Sequence, residues 1–161
     1  MVLCFSGTRF YDYLIESNVT KIKETIIDIL DRYPQTLVFG TCKGIDLDIF
    51  RYFVAMTNVH DRPYIINVCP DTLDELDEED RVYVEKHSDE IIQLEHPITH
   101  KNWYASYQIR NEWMVDNADE LYAFPLKNPP KGPKKGGTWN TIKYARRIID
   151  GKYPVTITEL D

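Results

Sequence analysis

Thr36-Leu37-Val38-Phe39-Gly40-Thr41-Cys42-Lys43-Gly44-Ile45-Asp46 decides the reading of the fold. A short strand runs into a turn bracketed by two glycines. A helix then opens, with Ile45, Ile49, Phe50, Phe53 and Val54 at helical spacing as far as Met56. The same grammar extends on both sides. Upstream, Val2-Leu3-Cys4-Phe5 is a strand closed by Ser6-Gly7-Thr8, and residues 19–30 carry a helical apolar period that Pro34 ends. Downstream, Tyr64-Ile65-Ile66-Asn67-Val68 is a third strand, stopped by Pro70. Strand, helix, strand, helix, strand, with strands apolar throughout, describes a parallel sheet covered on both faces.

The second half repeats the theme less evenly. Residues 72–87 read as an acidic surface helix, 90–94 as a short strand, and 96–104 as a loop. A helix is expected over 107–117 with Ile109, Trp113 and Met114 on one side, and a strand over 120–124 before Pro125. A loop over 126–135 leads to a helix expected from Thr138 to Ile149. Tyr153 to Ile157 then makes a last strand, at an edge because of Pro154. No repeat or linker divides the chain, so all 161 residues are expected to form one domain, with an acidic helical segment at about 71–90.

Charge excludes some functions and relocates others. The chain carries 19 Lys and Arg against 26 Asp and Glu, a formal charge of -7. Broad coating of nucleic acid is not expected of such a chain, because it relies on cations neutralising phosphates. The excess is local, however. Residues 71–95 hold 11 acids and 2 bases, whereas 127–152 hold 8 bases and one acid, Asp150. A small anionic ligand near the second stretch is therefore compatible with the composition. No apolar run approaches the ~18 residues of a membrane span. MVLCFSGTR lacks the basic start of a secretory leader, so the expectation is a cytoplasmic protein with no membrane partner. Cys4, Cys42 and Cys69 are odd in number and widely spaced. His60, His87, His96 and His100 show no zinc spacing, and neither a metal nor another cofactor is expected.

Ligands of open parallel sheets sit at the carboxyl ends of the strands, and four segments fall there. Ser6-Gly7-Thr8-Arg9 offers small residues for close backbone approach and an arginine for a phosphate. In the second segment, Gly40, Thr41, Lys43 and Gly44 suit an anion at a helix start, while Asp46 either caps that helix or holds a ribose hydroxyl. Cys42 sits where a thiol pKa falls. With no histidine base assignable to it, it reads as a small residue. Arg110 and Asn111 lie on a helix facing a strand end, with Arg110 and Met114 on one face. Gly136, Gly137 and Thr138 precede the last helix beside Lys134 and Lys135, and their amides and hydroxyl suit phosphate. Trp103, Tyr104 and Tyr107 are candidates to stack on a base, while Trp113 reads as core.

In order and spacing, these four segments resemble the SLOG superfamily, which holds the DprA, LOG and YpsA-like proteins. Arg-Asn-x-x-Met-Val-Asp at 110–116, Ala-Asp-Glu-Leu at 118–121 and the Gly-Gly-Thr step into a helix look most like the YpsA-like branch. The resemblance spans nearly the whole chain. It implies an α/β, Rossmann-like three-layer sandwich with a mostly parallel central sheet. It also implies glycine loops that bind a nucleotide or nucleotide-derived ligand, and a homo-oligomer. LOG enzymes carry a catalytic glutamate in this last motif, and Thr141 stands in its place here. Cleaving an N-glycosidic bond needs a carboxylate to stabilise the cationic sugar and activate water. The expectation is thus a binding, sensing or sequestering protein. The alternatives are a nucleoside monophosphate N-glycosidase in which Glu112 or Asp46 replaces that acid, and a DprA-like single-strand binder. Arg110 matches the LOG arginine, which implies a phosphate contact, and Arg110→Ala is expected to weaken phosphate binding while leaving folding intact.

Overall fold

The computed structural model describes residues 1–9, 11–96, 98–99, 101–129, 131 and 137–161. Six strands form one sheet: β1 (Val2–Gly7), β2 (Thr36–Gly40), β3 (Tyr64–Cys69), β4 (Glu90–Gln93), β5 (Glu120–Phe124) and β6 (Val155–Ile157). Their order is β4-β3-β2-β1-β5-β6 and every neighbouring pair is parallel. The sheet is thus wholly parallel among the described residues, where the sequence reading allowed a mixed one. The helices are α1 (Glu16–Leu30), α2 (Ile45–Met56), α3 (Glu78–His87), α4 (Trp103–Asp116) and α5 (Gly137–Ala145).

Strand alternation sorts the core into two clusters. Leu3, Phe5, Leu37, Phe39 and Phe124 point to one face, where they meet Ile22, Ile26 and Ile29 of α1 and Ile49, Phe50 and Phe53 of α2. Cys4, Val38, Val68, Leu121 and Ala123 point to the other face, onto Met114 and Val115 of α4 and Ile142 and Ala145 of α5. The result is a three-layer, Rossmann-like sandwich. Phe5 and Phe39 stack at 4.7 Å and 11° in the first cluster, with Phe53 tilted against both, so neighbouring strands share an aromatic seam.

Several boundaries differ from the sequence reading, each for a local reason. Helix α4 begins at Trp103, inside the stretch read as loop. Thr99 and Asn102 exchange backbone and side-chain hydrogen bonds that launch it. Its buried residues include Ser106, Arg110 and Asn111, so the apolar period that marks a helix is broken where α4 meets the site. Helix α5 stops at Ala145 rather than Ile149. Ile149 and Asp150 adopt φ of 53° and 52° in a short 3₁₀ turn, while Ile148 still packs on the second cluster and prolongs the apolar pattern. The acidic segment divides into a 3₁₀ turn at Leu73–Glu75 and α3, whose first turn Asp77 caps by accepting the Asp80 N–H at 3.2 Å. Strand β6 starts at Val155 and lies at the sheet edge, as Pro154 implied. Among the described residues, no helix is long and apolar enough to cross a membrane.

The topology selects one place for a ligand. From β1 the chain steps outward through β2 and β3 to β4, then crosses back to lay β5 on the other side of β1. The connections reverse direction between β1 and β5. The crevice outside their carboxyl ends is the switch point at which open α/β sheets bind ligands.

Candidate functional site

The end of β1 and the start of α2 are locked together first. The Thr8 N–H donates to the Phe124 carbonyl at 3.1 Å, and the Thr8 carbonyl accepts the Ile45 N–H at 3.1 Å. Gly44 makes this approach possible. Its φ is +97°, and a Cβ there would lie 2.7 Å from both Cα and O of Arg9. Gly40 has a different task. A Cβ at that position would collide with the Arg110 guanidinium, so the glycine leaves the space that arginine fills.

Arg110 is the buried cation of the site, with 3% of its side chain exposed. Its Nε donates to Asn111 Oδ1 at 2.8 Å and its Nη2 to Asp46 Oδ2 at 3.3 Å. Its Nη1 has no hydrogen-bond partner among the described residues. The other oxygen of Asp46 accepts the Gly7 N–H at 3.0 Å. Burial pushes the Asp46 carboxyl up to about 6, against the downward pull of Arg110, the Gly7 N–H and Arg9. Asp46 does not cap its own helix: Gly44 occupies the cap position, and the carboxylate instead ties β1 and α4 to α2.

A crevice opens over this floor at the switch point. Ser6, Gly7, Thr8 and Arg9 follow β1; Asp46, Arg110 and Asn111 form the base; Gly137 and Thr138 stand at the start of α5. Nine residues named from the sequence thus share one cavity. Gly40, Thr41 and Gly44 support it from behind: the Thr41 N–H goes to the Val68 carbonyl at 3.2 Å and its side chain is buried. Lys43 is a correction, because it does not reach the crevice lining. Its ammonium is exposed and pairs with Asp77 at 2.6 Å, a residue the local motif gave no reason to expect. Glu112 is also absent from the lining and accepts a hydrogen bond from Gln108 at 3.2 Å. Gly136, with Lys134 and Lys135, lies outside the described residues. Thr141 is buried and donates to the Gly137 carbonyl at 2.9 Å, so it spends its hydroxyl inside α5.

One wall is aromatic, as three of the residues named for base stacking allowed. Trp103, Tyr104 and Tyr107 of α4 line the crevice, and Trp139 of α5 joins them. Trp139 Nε1 donates to the Leu126 carbonyl at 3.2 Å, and the Tyr104 hydroxyl accepts from Asn140 of α5, so the segment after β5 holds one ring and a helix the other. The guanidinium of Arg9 lies over Tyr107 and Trp103, at 4.1 and 5.2 Å from the ring centroids. Sequence reasoning gave Arg9 to phosphate and did not pair it with these rings. Aromatic spacing at 103, 104 and 107, three residues before Arg110, was the available signal.

Cys42 also lines the crevice, and burial pushes its thiol up, with Asp46 adding to the effect. It is therefore a thiol rather than a nucleophilic thiolate, contrary to what a helix start alone suggests. Among the described residues, no group of three or more His, Cys, Asp or Glu is placed to hold a metal ion. Fold and site together define a Rossmann-like α/β protein with an arginine-floored, aromatic-walled crevice at its switch point. Comparison with protein-family models finds no match for the chain, and comparison with curated proteins finds none.

Proposed function

We propose that the switch-point crevice binds a nucleotide or nucleotide-derived ligand, and that the protein acts as a sensor, sequestering or regulatory binder. The observation that carries this reading is Arg110. A guanidinium buried to this degree, one nitrogen lacking a partner among the described residues, in the floor of a cavity, is a costly arrangement unless an acceptor completes it. The start of α5 at Gly137 and Thr138 puts a positive helix end on the same cavity, which favours an anion. The aromatic wall supplies a surface for a ring. The motif resemblance to the SLOG superfamily points the same way.

Thermal shift against nucleoside monophosphates, cyclic nucleotides and ADP-ribose tests the reading. A ligand at a hundred times its dissociation constant adds about 2.7 kcal/mol, or roughly 5–10 °C for a chain of this size. A flat response to all of them sinks it.

A second reading has one observation behind it. Asp46 is the only carboxylate in the described crevice lining, and its raised pKa suits proton transfer near neutral pH. On this reading the protein hydrolyses a nucleoside monophosphate at the N-glycosidic bond. Release of free base that Asp46→Asn abolishes would establish it, and absence of release from every monophosphate would remove it.

A further inference from the structure

Arg9 is placed for more than charge. Its guanidinium carbon is 4.1 Å from the Tyr107 centroid and 5.2 Å from that of Trp103, while the two rings are 6.4 Å apart and inclined at 73°. These separations put the guanidinium in the corner between the rings, lying on Tyr107 with Trp103 beside it. Despite both contacts Arg9 remains exposed, and it lines the crevice. The guanidinium thus rests on Tyr107, is hydrogen-bonded to the Tyr107 and Cys42 side chains, and is still exposed to the crevice.

Among the described residues, two other cations of the region are ion-paired. Asp46 compensates Arg110 and Asp77 compensates Lys43, whereas no ion pair engages Arg9 among the described residues. Two polar side chains of α4 that line the crevice already have partners, Gln108 in Glu112 and the Tyr104 hydroxyl in Asn140. What the corner offers an incoming ring is therefore a flat, delocalised cation seated on an aromatic ring.

We propose that Arg9, held on the Tyr107–Trp103 corner, is the stacking platform for the planar ring of the ligand. The site then selects ring-bearing anions over sugar phosphates and tolerates different nucleobases. A guanidinium stacks on π-systems through either face, and stacking discriminates weakly among bases because each has a π-face. This inference rests on the nucleotide reading above and assigns the end of the crevice that takes the ring.

Calorimetric titration of AMP, GMP and ribose 5-phosphate into the full-length protein and its Arg9→Ala and Arg9→Lys variants tests it. Arg9 is exposed, so both variants are expected to fold, which circular dichroism checks. The expected result is that AMP and GMP bind with similar affinity, each on the order of tenfold tighter than ribose 5-phosphate. Both variants should lose most of that preference while keeping the ribose 5-phosphate affinity, since lysine retains the charge but not the plane. Equal weakening of all three ligands in Arg9→Ala would overturn the proposal in favour of a phosphate contact. Full AMP affinity in Arg9→Lys would overturn it by showing that charge alone suffices. If the wild-type protein binds AMP and Arg9 changes are silent, this inference fails while the nucleotide reading stands. If the wild-type protein binds none of the three at millimolar concentration, both fail.

Discussion

Asp46 and Arg110 stand 64 positions apart in the chain and meet at 3.3 Å beneath the crevice, with 5% and 3% of their side chains exposed. The carboxylate also holds the Gly7 N–H at 3.0 Å, so a single side chain joins the end of β1, the first turn of α2 and the middle of α4. The pair is both the floor of the site and a joint of the fold.

Removing Arg110 therefore does more than weaken a ligand contact. An arginine on a solvated face would be dispensable for folding, whereas this one is buried in an ion pair. Arg110→Met strands a buried carboxylate, which costs about 3–5 kcal/mol when it stays charged. Urea denaturation at pH 8 should show a loss of that order. Arg110→Met combined with Asp46→Leu should recover much of it, because a buried pair replaced by apolar groups is often neutral. A double variant as unstable as the single one would show that the pair is not what the single change disrupts.

Asp46 also makes stability depend on pH in a definite direction. Burial lifts its carboxyl from the usual 3.8 to about 6, opposed by Arg110, the Gly7 N–H and Arg9. The folded state thus holds the proton more tightly than the unfolded chain. Its contribution is fully favourable below about 3.8 and is lost as pH rises through about 6. A shift of this size corresponds to about 3 kcal/mol. Unfolding free energy of the wild type, compared with Asp46→Asn across pH 3.5 to 7, isolates the group, and the variant should lack that component of the slope. Parallel curves would mean that Asp46 keeps an ordinary pKa.

Lys43 illustrates how far local sequence reaches. Between two glycines at a helix start it has the setting of a phosphate ligand, and nothing nearby reveals that Asp77 lies 2.6 Å away in the folded chain. Because that pair is exposed, Lys43→Ala should leave both the melting temperature and nucleotide affinity unchanged. A marked loss of affinity would return Lys43 to the site.

Ser6 to Arg9 and Gly137 to Thr138, which line the crevice, could be singled out because small residues mark a strand end and a helix start. The strands were legible because the sheet is buried on both faces and each strand is one apolar run. The first turn of α4 was not, since a helix that buries Ser106, Arg110 and Asn111 toward a crevice has no apolar period to detect. The pairing of Asp46 with Arg110 leaves no local trace, and that of Arg9 with Tyr107 leaves only the aromatic spacing on α4.

Two glycines of the site make opposite predictions. Gly44 has φ of +97° and ψ of -140°, a region that other residues avoid, and an added Cβ would press on the Arg9 and Thr8 backbone at 2.7 to 2.8 Å. Gly44→Ala should destabilise by at least about 1–3 kcal/mol from the backbone alone. It should also disturb the Arg9 stack, because Arg9 is what the new atom strikes. Among the described residues, Gly137 meets nothing within 4 Å of its would-be Cβ, and it lies in the first turn of α5. Gly137→Ala should leave stability unchanged or raise it by about 0.5–1 kcal/mol through lower chain entropy. If a phosphate rests against that turn, the same methyl group occupies part of its space, and affinity should fall while stability does not. Denaturation and nucleotide titration on the two variants separate these effects. Unchanged affinity in a stable Gly137→Ala protein would move the phosphate away from α5, and a stable Gly44→Ala protein would mean that the turn before α2 can relax.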